Sequence, residues 1–145
     1  MRVVIQRVNH ASVRVDGEVK GAIERGFMLL VGFSATDSEA ALQPMAEKIV
    51  NLRIFSNEEG KFHFSLLDIK GSALAIPQFT LFADTTRGRR PEFTSALAPA
   101  EAKELYLKFC QILRRYVPTE EGVFGADMKV LLENDGPVTI NLSSE

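Results

Sequence analysis

Val13-Arg14-Val15-Asp16-Gly17-Glu18-Val19-Lys20 is the stretch from which the fold can be read outward. Two short runs of alternating apolar and polar residues meet at Asp-Gly, a dipeptide suited to a two-residue turn in which both central φ angles are positive. The stretch therefore predicts a β-hairpin. Upstream, Met1 to Val8 and Ser12 to Val15 are rich in β-branched residues, with the turn-compatible pair Asn9-His10 between them. Downstream, a strand through Ile23 leads by way of Glu24-Arg25-Gly26 into Phe27 to Phe33. That run is apolar enough to be a central strand covered on both faces.

From Ser38 the period changes. Leu42, Met45, Ile49 and Leu52 recur at helical spacing, and Asp37 or Ser38 can cap the first free N–H groups. Short strands are expected at Arg53-Ile54-Phe55 and Phe62-His63-Phe64, with Asn57-Glu58-Glu59-Gly60 turning between them. Ser72 to Phe82 reads as a further strand interrupted by Pro77, and Ala83 to Ser95 as an exposed loop. A second helix starts near Pro99 and carries Ala102, Leu105, Tyr106, Phe109, Ile112, Leu113 and Tyr116 as one stripe, with Pro118 as its stop. Met128 to Leu132 and Val138 to Leu142 form a last strand pair around Asn134-Asp135-Gly136-Pro137. The pattern predicts one α+β domain over residues 1–145, with a mostly antiparallel, barrel-like sheet and two main helices.

Composition narrows the class. Apolar residues make up 46% and charged residues 25%, as in ordinary folded proteins, and the net charge of −2 leaves any basic footprint to be local. No apolar run is long enough to span a bilayer, and the charged opening Met1-Arg2-Val3-Val4-Ile5-Gln6-Arg7 is no export signal. One cysteine cannot form an internal disulfide and suits a reducing cytosol. A cytoplasmic protein with no membrane partner is expected.

Candidate chemistry is sparse. There is no metal-ligand spacing, no P-loop and no dinucleotide fingerprint, so neither a metal nor a cofactor is expected. Cys110 falls on the apolar side of the second helix, where a small buried hydrophobe is the simpler reading than a nucleophile. His10 and His63 read more simply as ordinary surface or half-buried histidines than as general bases.

Pro77-Gln78-Phe79-Thr80-Leu81 is different. A proline removes a ladder donor, so the strand ends or bends here, beside Gln78 and the hydroxyl of Thr80. A bent strand end frees backbone N–H groups, which can hold a developing oxyanion. The plainer alternative is an edge strand with an inward threonine. Asn134-Asp135-Gly136-Pro137-Val138-Thr139 reads either as a rigid projecting turn or as a simple hairpin loop. Arg87-Gly88-Arg89-Arg90 is a compact basic run near the suspect strand end, suited to an anionic backbone if it is more than solvated surface.

Together these segments resemble the D-aminoacyl-tRNA deacylase family over nearly the whole chain. The likeness runs from Ile5-Gln6-Arg7-Val8 with Ala11-Ser12-Val13, through Arg53-Ile54-Phe55-Ser56, Gln78-Phe79-Thr80-Leu81 with Ala83-Asp84, and Arg87-Gly88 to Arg90-Pro91-Glu92-Phe93. It closes with Phe124, Ala126-Asp127-Met128 and Asn134 to Thr139. The resemblance implies a cytosolic homodimer that hydrolyses the ester joining a D-amino acid, or glycine, to the terminal ribose of tRNA. It makes Gln78, Phe79 and Thr80 the catalytic segment, with the N–H groups of Phe79 and Thr80 as an oxyanion hole. Gly136-Pro137 matches a cis element that enters the partner's pocket and excludes L side chains, and Arg7 matches the residue bracing it. Phe124 and Met128 would help line the pocket, and Arg87, Arg89 and Arg90 would meet tRNA. Water could be activated by the substrate's own 2′-hydroxyl, with Thr80 in a supporting or direct role.

One position departs from the family. Ser is usual where this chain has Pro77, and a related animal deacylase acting on L-alanine errors has Pro there. Phe79, Val138, Thr139 and Arg7 follow the D-specific pattern. Two alternatives stay open beside D-specificity: a relaxed deacylase acting on glycine or L-alanine, and a non-catalytic nucleic-acid-binding dimer of the same fold.

Overall fold

The computed structural model describes residues 1–145. Asp16 and Gly17 take φ angles of 51° and 78° and turn the chain between β1 (Arg2–Val15) and β2 (Glu18–Ile23), as the hairpin reading requires. Asn9-His10 do not turn it. They lie inside β1, where the step from Val8 to Ala11 faces the shorter step from Asn134 to Leu132 on the neighbouring strand, so a bulge absorbs them.

β3 (Gly26–Gly32) is the inner strand expected, antiparallel to β1 and parallel to β6 (Ser72–Pro77), and buried at every residue except the half-buried Leu30. β7 (Thr119–Glu121) continues the parallel edge on β6, giving the order β2-β1-β3-β6-β7, with β8 (Lys129–Ser143) added along β1. The sheet is therefore mixed. It curls until β2 meets β6 and β7, which gives the barrel-like shape. Gly21 allows that closure, since a Cβ there would stand 3.0 Å from the Glu121 carbonyl oxygen.

The apolar stripes of α1 (Leu42–Asn51) and α2 (Pro99–Arg114) pack together over one face of the sheet, burying Met45, Ile49, Tyr106 and Phe109 with Phe27 and Leu29. Inside the curl a second cluster holds Val8, Val13, Met28, Leu74 and Ile76. No helix is long and apolar enough to cross a membrane.

Several boundaries differ from the sequence reading. Neither Asp37 nor Ser38 caps α1, because a 3-10 turn at Glu39–Ala41 precedes it. Asp37 instead accepts from the Met1 ammonium at 2.5 Å and from the Ser34 N–H at 2.6 Å. β4 is only Phe55–Ser56, pairing with β5 (Phe62–Phe64), and Leu52 lies just past α1. α2 ends at Arg114, ahead of Pro118.

Two differences matter for the site. The expected strand to Phe82 stops at Pro77, and Phe79–Phe82 is a 3-10 turn. The expected terminal hairpin does not exist, since β8 is one strand running antiparallel along β1. Its two halves find partners on β1 instead of on each other. Gln6 pairs with Thr139 and Val8 with Asn134, so residues 135–138 have no partner in the ladder and bulge out of it.

Candidate active site

The end of β6 is held against the end of β3. The Gln78 N–H donates to the Val31 carbonyl at 2.7 Å, and the chain then enters the 3-10 turn. The N–H groups of Leu81 and Ala83 are taken by the Gln78 and Thr80 carbonyls. Those of Phe79 and Thr80 open the turn, and the first donors of any helical turn have no partner within it. Gln78 Nε2 donates to Thr80 Oγ1 at 2.5 Å, fixing that hydroxyl beside the free donors.

The first residues of this turn, Gln78 and Phe79, border a cavity of about 570 Å³. Pro77, Gln78 and Phe79 form one side of it, and Phe124 and Met128 another; Thr80 is outside the lining. Its walls are mostly apolar, with the end of β3, the segment 93–98 and the start of α2 also contributing. Phe79 is 56% exposed, an unusual position for a large aromatic, and meets Phe93 edge-on with ring centres 4.9 Å apart. The far wall depends on Gly122. A Cβ there would lie 2.7 Å from Met128 Sδ and 3.3 Å from Pro77 Cδ, so a larger residue would have to displace the Met128 side chain. The Gly122 N–H is anchored to the Ala75 carbonyl at 3.0 Å and the Tyr106 hydroxyl at 3.1 Å. Sequence reasoning missed Gly122, which nothing in the sequence singles out, and it named Phe93 within a motif without giving it a place in the pocket.

Arg7 gathers the second group of residues. It is only 7% exposed, and its Nε donates to the Asp135 carbonyl at 3.1 Å and pairs with Asp135 Oδ2 at 3.2 Å. Its Nη1 donates to the Ile54 carbonyl at 2.8 Å. Asn134 pins the same projection from the other side, its Oδ1 accepting from the Val138 N–H at 2.8 Å. Between these anchors the Gly136–Pro137 bond is cis, both residues are exposed, and Gly136 has φ 126°. The projection does not line the cavity of its own chain.

Arg87, Arg89 and Arg90 are exposed on a loop closed by the Asp84–Glu92 bridge, and none lines the cavity. Neither histidine reaches it. His10 lies 3.8 Å from Glu133 at the surface, and His63 stands against Arg53. Cys110 is fully buried in α2, where burial above all, with the nearby Glu121 carboxylate, pushes its thiol up to about 12. The site thus offers main-chain donors, one hydroxyl and an apolar cavity, a set able to stabilise charge without a side-chain nucleophile.

Residues 4–143 match the family described as D-Tyr-tRNA(Tyr) deacylase. The chain belongs to this family. As a D-aminoacyl-tRNA deacylase it is a hydrolase of a carboxylic ester. The solved structure of a c-Myc DNA Unwinding Element Binding Protein is 42% identical, covers 100% of this chain and 99% of its own, and superposes with a TM-score of 0.94. A second, described as a "probable eukaryotic D-amino acid tRNA deacylase", is 20% identical over 97% of both chains with a TM-score of 0.84, and bears on the fold alone.

Proposed function

We propose that this deacylase removes D-amino acids, and glycine, from mischarged tRNA in the cytoplasm as a homodimer with two composite pockets. The observation that carries the reading is the 3-10 turn after Pro77, which leaves the Phe79 and Thr80 N–H groups free beside an apolar cavity. Water attacks the ester carbonyl and negative charge forms on its oxygen, where two fixed donors are each worth about 3 kcal/mol. The carbon–oxygen bond to the ribose then breaks, the ribose oxygen takes a proton, and free amino acid and tRNA leave. Attack is assisted by the substrate's own 2′-hydroxyl, with Thr80 Oγ1 oriented by Gln78.

Discrimination comes from the partner subunit's Gly136 and Pro137. A rigid wall excludes an L side chain by clash instead of binding it a little less well, and glycine has nothing to clash. In support, the projection is exposed, braced by buried Arg7, and away from its own cavity. Arg87, Arg89 and Arg90 meet the tRNA phosphates, so reversing their charge weakens binding and flattens its salt dependence.

Two observations favour other readings. Pro77 stands in the cavity wall where the family usually has Ser, which favours a relaxed pocket accepting L-alanine. The relative at 42% identity bears the name of a DNA-binding protein, which favours a nucleic-acid-binding role. Turnover of D-Tyr-tRNA, Gly-tRNA and L-Ala-tRNA by the purified protein, with a duplex-DNA binding assay alongside, separates them. D-Tyr-tRNA and Gly-tRNA are expected to be hydrolysed. Preferred L-Ala-tRNA turnover would overturn D-specificity, and DNA binding with no turnover would overturn the enzyme.

A further inference from the structure

We infer that Gly32 is a positioning residue that sets the direction of the Phe79 N–H. This rests on the oxyanion reading of that donor. Gly32 is the last residue of β3, in register with Arg2 of β1. A Cβ on it would stand 2.7 Å from the Gln78 carbonyl oxygen and 3.1 Å from Leu81 Cβ. The nearer atom is backbone, so no change of rotamer relieves the contact.

The Gln78 carbonyl and the Phe79 N–H are two ends of one planar peptide unit. A push on the oxygen therefore rotates the hydrogen. The unit has little freedom to respond by sliding, because the Gln78 N–H is bonded to the Val31 carbonyl on one side. On the other side Arg2 closes a clamp, with Nη1 donating to the Leu81 carbonyl at 2.9 Å and the guanidinium 4.4 Å above the centre of the buried Phe82 ring. β3 thus ends in a residue without a side chain directly beneath the peptide whose N–H faces the reaction. An oxyanion donor works only if it points at the position the charge will occupy, within about 2.7–3.1 Å.

The test compares steady-state hydrolysis of D-Tyr-tRNA by wild type and Gly32→Ala, with thermal melting to establish folding. A folded Gly32→Ala protein is expected to lose about 10- to 100-fold in kcat with KM little changed, part of the ~10²–10³ lost when such a donor is deleted outright. An unchanged kcat, or a defect carried by KM alone, overturns the inference. If Gly32→Ala does not fold, Arg2→Met decides instead. It keeps an apolar chain over Phe82, removes the donation to Leu81, and is expected to lower kcat and not KM; full kcat overturns the inference. Wild-type turnover beside an unimpaired variant rejects Gly32 alone, whereas absence of wild-type turnover rejects the oxyanion reading with it.

Discussion

Arg7 holds three separated pieces of chain through one guanidinium: the projection at Asp135, the carbonyl of Ile54 before β4, and its own strand. Only a planar fork of fixed donors does this, and a lysine in its place would satisfy one carbonyl and abandon the other. Arg7→Met leaves the Asp135 and Ile54 oxygens without their donor, so a loss of about 2 kcal/mol is expected in urea unfolding. The proposed function adds a second outcome: the ratio of D-Tyr-tRNA to L-Tyr-tRNA turnover falls, while stability alone would leave the ratio untouched. Cys110 gives the opposite kind of prediction. With its thiol pushed up to about 12, chiefly by burial, almost no thiolate exists at pH 8, and the thiolate is the reactive form. A maleimide should leave the native protein unlabelled and modify it only once urea has unfolded α2; rapid native labelling would show that α2 opens locally.

The projection in β8 is an element-scale device, four residues without a partner in a ladder that continues on both sides. Gly136→Ala attacks it directly, since φ 126° is unfavourable for any L side chain and the new Cβ would lie 2.8 Å from Val138 Cγ2 and 3.0 Å from Arg7 Nη2. Loss of D-aminoacyl-tRNA turnover or of chiral discrimination, with β8 still protected from amide exchange, is the expected result. This element was the least legible in the sequence. Asp16-Gly17 announced its hairpin because turn chemistry is local, and β3 announced its central place by continuous apolarity. Residues 134–139 look like a hairpin from within, and only the length of β1, which offers partners to both halves, shows otherwise. Pro77 told where β6 ends but not that a 3-10 turn follows. Gly32 and Gly122 carried no signal at all, because a close approach depends on which element arrives from elsewhere in the chain.

At the scale of the molecule, Asp37 ties the Met1 ammonium to the loop after β3. Burial works to raise its carboxyl, but the hydrogen bonds from the Met1 ammonium and from Ser34, with the ammonium's charge, outweigh it and hold it below the usual value. A carboxylate lowered in this way adds stability above its unfolded pKa of about 3.9 and loses that contribution as pH falls through the folded value. Wild type should therefore exceed Asp37→Asn in urea midpoint at pH 7, with the gap closing toward pH 3; a gap independent of pH would show that packing, not charge, is what Asn loses. Dimerisation is testable at this scale too, by sedimentation of the wild-type protein and of Phe79→Glu, which places charge on an exposed aromatic at the cavity mouth. The pairing of β1 with β8 also has a cost in time. β1 is made early and lies between its hairpin partners on one side and β8 on the other. At roughly 5–20 residues per second, translation from Val15 to Lys129 takes on the order of 6–20 s. Throughout that interval one long edge of β1 offers unpaired backbone groups to any other extended chain nearby. Docking of β8 both seals that edge and creates the Gly136–Pro137 projection, so a nascent chain cannot acquire the proposed chiral wall before it has shed its main liability to aggregate.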